Sequence, residues 1–265
     1  MKRKLINGIV HLLRLPIYLY RHKLNSKLLC LNSIYRDHTL HIDKAIVCYK
    51  NELRFYDPTD YIIDVGAYDG GTCLYFRKFL PHNPIIAFEP NPEIFRIAQE
   101  KCKNKNITIL PYVVALSNGN TKLHITKNAP SASILSTNRK DELFEIQKSF
   151  NVPSITLDSC VDYIQNRNVG ILKMDIQGAE RIALENGKQL LKQTKFLVLE
   201  VSNHNIYKNA CAYYEVDELL RKENFTLIDW IPSLYGFDLS EPEDILKFQA
   251  IEWNTIYLNK TFLKR

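Results

Sequence analysis

Three short segments carry the residues whose types and spacing could do chemistry. The first, Asp64-Val65-Gly66-Ala67-Tyr68-Asp69-Gly70-Gly71, ends an apolar run and opens a helical stretch. Glycines at such a turn let the backbone approach a ligand closely, and the helix N-terminus that follows receives an anionic group such as a carboxylate. Gly66 is followed by Ala, Tyr and Asp before Gly70, so the spacing is not G-x-G-x-x-G. That departure argues against a nicotinamide dinucleotide seated by its pyrophosphate. A ligand without phosphates but with an amino-acid end fits the loop better.

The second segment is Phe88-Glu89-Pro90-Asn91, at the end of the next apolar run. An acidic side chain there, some 20 residues after a glycine loop, can accept two hydrogen bonds from a ribose diol. S-adenosylmethionine has both an amino-acid end and a ribose, and carboxylates near its ammonium and sulfonium are favourable. The third segment is Leu172-Lys173-Met174-Asp175-Ile176-Gln177-Gly178-Ala179-Glu180. Lys173 and Asp175 lie two apart on an expected strand and so share a face, at the edge where open α/β sheets bind ligands. A charge buried there costs several kcal/mol unless paired, so Lys173 requires a carboxylate, for which Asp175 and Glu180 are the nearest candidates. The plainer alternatives make Asp175 a helix N-cap and Glu180 a partner of the helix dipole.

The elements that position these residues read as an alternation of apolar runs and helices. Strands are expected at 61–65, 84–88, 107–114, 169–174, 196–201, 225–231 and 250–258, with helices near 71–80, 92–103, 157–166, 178–193 and 213–223. Strands that are apolar throughout and alternate with helices indicate a parallel sheet covered on both faces. The last two strands have no strong helical crossover between them, which favours an antiparallel edge hairpin. Between 120 and 156 the pattern is less regular, with a strand expected at 121–126 and a helix at 139–149. Residues 38–56 read as a helix leading into the Asp57-Pro58 turn, and 232–249 as a loop with room for a helix.

Taken in order, DVGAYDGG, FEPNPEIF, ALSN, SASI, ITLDS, LKMDIQGAE and LEVS resemble the FkbM family of S-adenosylmethionine-dependent methyltransferases, over about residues 61–202. The resemblance implies an α/β, doubly wound, mostly parallel seven-stranded sheet of the class I methyltransferase, Rossmann-like type. It also implies O-methylation of sugars in surface glycans or of hydroxyls in natural products. By position Asp64, Gly66 and Asp69, with Ala67 between them, would line the methionine part of the cofactor. Glu89 would take the ribose beside Pro90, Asn91 would support that loop, and Ala115 and Ser117 would lie near the adenine. The catalytic residues expected are Asp175, as base or acceptor-orienting group, Lys173, which tunes it, and Glu180. This chain has Gln177 where members of that family often have Glu, and Tyr68 where they often have Asn. His204 lies just past Glu200-Val201-Ser202 and could reach the same rim.

Composition narrows the classes. The chain has 265 residues, 46% of them apolar, enough for one catalytic domain, expected over 57–265, after an extension over 1–56. Residues 1–36 hold eight of the 35 basic residues and no acidic one, leaving 27 basic against 29 acidic in the remainder. A nucleic-acid enzyme would spread its basic surface over the main domain, so no nucleic-acid partner is expected. The stretch from Leu5 to Tyr20 is broken by His11, Arg14 and Pro16, too short an apolar run to cross a bilayer, and no signal-peptide cleavage site follows it. Its helical periodicity allows an amphipathic helix on an anionic membrane surface, or one packed on the catalytic domain or on a second subunit, with a cytoplasmic location expected. Six cysteines with no C-x-x-C pair and no His at ligand spacing point to no metal site and to a reducing compartment. Two readings compete with a methyltransferase of this type: a non-catalytic nucleoside-cofactor-binding module of the same fold and, disfavoured by the glycine spacing, an oxidoreductase.

Overall fold

A computed structural model describes residues 40–51, 55–127, 131–137, 142, 145–202, 207–235 and 250–264. The basic amphipathic stretch, His204 and most of the 232–249 loop lie outside the described residues. By its internal contacts the chain divides into two units, 1–38 and 39–265. The helix expected at 38–56 therefore belongs with the sheet, and only what precedes it forms the separate unit. That helix, α1 (Leu40–Asn51), buries Ile42, Ala45, Ile46 and Tyr49. Its Tyr49 hydroxyl donates to the Asp57 carbonyl (2.7 Å) and to Asp60 Oδ2 (2.8 Å). Gly170 makes room for the ring, since a Cβ at Gly170 would come within 2.5 Å of Tyr49 Cζ.

The main sheet has seven strands in the order β3-β2-β1-β7-β8-β10-β9: β1 (Tyr61–Val65), β2 (Ile85–Phe88), β3 (Ile107–Leu110), β7 (Val169–Met174), β8 (Thr194–Ser202), β9 (Phe225–Tyr235) and β10 (Ala250–Asn259). Pairing is parallel from β3 through β8, and β10 alone runs antiparallel to both its neighbours, β8 and β9. The class I methyltransferase fold expected from the sequence is the fold present. Alternating residues feed two cores: Ile63 and Val65 of β1 join one cluster with Leu172, Leu197 and Leu199, and Ile62 joins the other with Ile85, Ile171 and Phe196. Each such side chain contributes roughly 1.5–3 kcal/mol on full burial, which is why apolar runs persist through β1, β7 and β8.

The helices α2 (Gly71–Phe79), α3 (Pro92–Cys102), α4 (Glu180–Glu185), α5 (Lys188–Gln193) and α6 (Tyr213–Lys222) follow the strands. The single helix expected over 178–193 is broken between α4 and α5 at Asn186-Gly187, where a Cβ on Gly187 would meet Leu157 at 2.4 Å. Near 157–166 the backbone takes a 3₁₀ helix at Asp158–Tyr163.

The irregular middle builds a second sheet of three strands, β4-β6-β5, from β4 (Val113–Val114), β5 (Gly119–Thr126) and β6 (Ile146–Ile155). The helix expected over 139–149 is overturned where the structure describes it, because 146–149 run as strand, paired antiparallel with β5. The long run expected at 107–114 likewise divides between the two sheets, Pro111 falling at the break.

Candidate active site

The crevice forms where the strand order reverses, at the carboxyl ends of β1 and β7, the place where doubly wound sheets hold ligands. Asp64 and Lys173 are register partners there, and Lys173 Nζ donates to Asp64 Oδ1 at 3.1 Å. Lys173 also reaches Asp175 Oδ2 at 3.8 Å. Exposure climbs along this row, from 0% for the Asp64 side chain through 8% for Lys173 to 37% for Asp175. Burial opposes the Lys173 charge, but Asp64, Asp175 and Glu200 outweigh it and hold the ammonium above the ordinary lysine range. Burial pushes Asp64 up while Lys173 pulls it down; because the ammonium stays charged against two carboxylates, we treat Asp64 and Lys173 as an ion pair. Asp64 is thus enclosed, with Cys73 Sγ donating to its second oxygen at 3.4 Å, and it acts on the crevice through Lys173.

The glycine loop is shaped by close backbone approach. Gly66 has φ +84°, and a Cβ there would lie 2.0 Å from the Asp175 carbonyl oxygen. Gly66 and Ala67 both donate their N–H to the Phe88 carbonyl at 3.0 Å, which ties the loop to the end of β2. Tyr68 also takes a positive φ (48°), and its N–H donates to Glu89 Oε2 at 2.8 Å. Asp69 accepts from the Gly71 N–H (2.9 Å) and pairs with Lys101 (2.6 Å), so it ties the start of α2 to α3.

Glu89 Oε1 accepts from the Asn91 N–H at 2.8 Å, so one backbone N–H fixes each carboxylate oxygen. Burial raises Glu89 to about 7, against the pull of those two N–H groups. Each oxygen keeps a lone pair for a further donor, as a diol requires. Asn91 Oδ1 caps α3 by accepting from the Glu93 N–H (3.1 Å), and Pro90 sits between these two anchors, half-buried. Ala115 is buried with Val113, Leu123 and Ile125 of the small sheet, whereas Ser117 is exposed and its carbonyl accepts from Ser154 Oγ at 2.9 Å.

On the far side of Asp175 the structure supplies residues that the sequence reading had not given roles. Gln177 Nε2 donates to both Asp175 Oδ1 (2.9 Å) and Glu200 Oε2 (3.1 Å), and its Oε1 accepts from the Tyr207 hydroxyl (2.8 Å). Burial and the Asp175 charge push Glu200 well above the ordinary carboxylate range. Burial opposes ionisation of Asp175, but Lys173, Gln177 and Glu200 prevail and hold it below the usual carboxylate range. The two carboxyl groups are driven apart, Asp175 toward the ionised form and Glu200 away from it, as neighbouring carboxyls are. The pairing of β7 with β8 was the available signal: with Met174 opposite Leu199, the next residues on each strand are Asp175 and Glu200.

Glu180 turns back on its own loop, its Oε1 accepting from the Ile176 N–H at 3.0 Å and more weakly from Gly178 at 3.4 Å. Burial raises it to about 7. A shallow depression, open to solvent, lies beside it, lined among others by Gln177, Glu200, Ser202, Tyr207, Val216 and Glu252. The row thus stands between Glu89 with the glycine loop on one side and the acidic residues Asp175, Glu200 and Glu252 on the other. No cluster of His, Cys, Asp and Glu suited to a metal ion occurs among the described residues.

The Methyltransferase FkbM domain model matches residues 64–227, which span every group described above except Glu252. The chain is 24% identical to the 2-O-methyltransferase NoeI of Sinorhizobium fredii over 190 residues, covering 66% of this chain and 76% of that protein. Among solved structures, magnesium protoporphyrin IX methyltransferase from Synechocystis PCC 6803 covers 84% of this chain and 79% of its own, at 8% identity and a TM-score of 0.46. Fibrillarin from Aeropyrum pernix covers 82% and 74%, at 12% identity and a TM-score of 0.44.

Proposed function

This chain belongs to the FkbM methyltransferase family, and we propose that it methylates a hydroxyl oxygen of a sugar or similar acceptor, with S-adenosylmethionine as the donor. The observation that carries the reading is the graded row Asp64, Lys173, Asp175, which ends in an ionised, partly open carboxylate at the crevice. NoeI, a 2-O-methyltransferase, supports the choice of oxygen.

The residues fit the donor. Gly66 lets the loop close against the Asp175 backbone and so holds it in shape, and Glu89 presents fixed oxygens to a ribose diol. Bound there, S-adenosylmethionine supplies a methyl group made electrophilic by its sulfonium. The chain's own part is to align the acceptor and to take its proton. Asp175 accepts a hydrogen bond from the acceptor hydroxyl and so points its oxygen. An alcohol oxygen becomes strongly acidic as its new bond to carbon forms, so a carboxylate of low pKa suffices to receive the proton. Lys173 keeps Asp175 ionised, and Gln177, itself held by Tyr207, fixes its orientation.

The test has two stages. S-adenosylhomocysteine at saturating concentration is expected to raise the melting temperature, since a ligand that binds only the native state stabilises it by mass action. Methyl transfer, followed by mass spectrometry over a panel of mono- and oligosaccharides, is then expected to add about 14 Da per event, the mass of a methylene, with one S-adenosylhomocysteine released per methyl. No shift with either cofactor form would overturn the donor assignment. A shift accompanied by transfer to nitrogen or carbon acceptors alone would overturn the oxygen assignment.

A further inference from the structure

The chain has two tryptophans, and both lie in one stack on the last two strands. Trp253 is buried, and Trp230 covers it with ring centroids 5.8 Å apart and planes only 12° from parallel, yet Trp230 is 52% exposed. Tyr213, at the first turn of α6, closes on Trp253 at 5.7 Å. Tyr214, 63% exposed, meets Tyr213 at 6.2 Å. Leu227 and Trp230 are three apart and would face opposite sides of an unbroken strand. A register shift opposite Ile256 and Tyr257 lets both meet the same core cluster. The outcome is a flat indole face, held from beneath and open above.

The stack is anchored beside the acidic pocket through Trp253. Trp253 is the register partner of Val201 and the chain neighbour of Glu252, and Val216 lies three residues past Tyr213 on α6. Val201, Val216 and Glu252 all line the pocket. The buried base of the stack is therefore next in register and in chain to residues of the pocket wall. A pyranose ring suits indole and carboxylates alike, because its C–H face packs on a flat aromatic surface while its hydroxyls donate to carboxylates.

We propose that Trp230 is the stacking platform for a sugar unit next to the one that is methylated, so that the preferred acceptor is an oligosaccharide or glycoside rather than a free monosaccharide. The proposal rests on the hydroxyl-methylating reading above for what happens in the pocket.

Because the chain has no other tryptophan, intrinsic tryptophan emission reads the platform directly. The probes are neutral di- and trisaccharides of hexose, 6-deoxyhexose and N-acetylhexosamine, with sorbitol as a hydroxyl-rich control that lacks a ring. Saturable quenching or a blue shift is expected with at least one oligosaccharide and not with sorbitol. Trp230→Ala should weaken that binding roughly three- to tenfold, the size of one aromatic stacking contact, while Trp230→Phe retains most of it. With the methylated sugar in hand, Trp230→Ala should raise KM for the oligosaccharide and leave KM for the monosaccharide and the melting shift with S-adenosylhomocysteine unchanged. The proposal is overturned if no saccharide alters the emission, or if Trp230→Ala binds and methylates oligosaccharides as the parent does. It is overturned equally if light scattering shows that Trp230→Ala converts a dimer to a monomer with no effect on sugar binding, which would assign the face to a second copy. In each of these cases a persisting melting shift with S-adenosylhomocysteine keeps the donor reading intact.

Discussion

Lys173 Nζ stands 3.1 Å from Asp64 Oδ1 across adjacent parallel strands, and neither side chain is more than 8% exposed. Removing one partner leaves the other charge buried without compensation. Lys173→Met is therefore expected to cost roughly 3–5 kcal/mol in stability, well beyond the effect of its lost contacts. The double variant Asp64→Asn/Lys173→Met should recover part of that loss. Urea denaturation of the three variants checks both statements, and a double variant no more stable than Lys173→Met would show that the pair is not the cause.

Asp175→Asn keeps size and hydrogen-bonding ability while removing the charge that faces the acceptor. Turnover is expected to fall about 10²–10⁴-fold with S-adenosylhomocysteine affinity nearly unchanged, the usual range for a positioned acid or base. Glu200→Gln retains a donor toward Asp175 and should cost far less. If Asp175→Asn keeps more than about half of the parent's turnover, on a scale where tenfold is 1.36 kcal/mol of barrier, Asp175 only caps the following loop.

Glu89 gives cofactor binding a pH dependence. Burial raises it to about 7, and a ribose diol needs the ionised form as acceptor. Affinity for S-adenosylhomocysteine should therefore rise with pH between about 6 and 8, by at most about tenfold per unit for a single proton. Glu89→Gln should bind more weakly and flatten the curve. The same shift acts on stability with the opposite sense. The folded protein holds a proton that the unfolded chain releases near 4.5, so this contribution is full below that value and is lost as pH rises through about 7. Titration calorimetry at four pH values separates Glu89 from Glu180, which burial raises to a similar value but which binds only its own loop.

Gly66→Ala places a methyl group 2.0 Å from the Asp175 carbonyl oxygen at a φ of +84°. Strain and overpacking together are expected to cost roughly 2–5 kcal/mol and to abolish the S-adenosylhomocysteine melting shift. Gly119→Ala is the matched control, having a positive φ of 142° with nothing within 4 Å of the added group. It should lose stability while keeping the ligand shift.

Strands β1, β7 and β8 were legible because parallel strands buried on both faces are apolar at nearly every position. The small sheet was not. In β6 the residues Ile146–Ser149 are exposed, burial begins only near Val152, and the partner residues lie 20 to 35 positions earlier. Nothing local distinguishes such a segment from a polar helix, because long-range pairing decides it. The glycine loop, Glu89 and the Lys173–Asp175 pair could be read from spacing alone. The platform could not, since it depends on a register shift that brings Trp230 over Trp253. Asp64 shows a further limit: its type suggested a ligand contact, and spacing alone could not show that its side chain is enclosed and paired with Lys173.

Helix α1 has a consequence for how the protein is made. It packs on β7, β8 and β10, so the surface that covers Tyr49 is completed by residues that follow it by roughly 200 positions. At bacterial or eukaryotic synthesis rates of about 5–20 residues per second, the helix leaves the ribosome about 10–40 s before its last neighbour exists. During that interval its apolar side has no lasting home. β10 is also the one strand that runs against its neighbours, and it enters between β8 and β9, which are already made. The cover of this helix is therefore completed in stages, by β7 and β8 first and by β10 last, when that strand enters between β8 and β9.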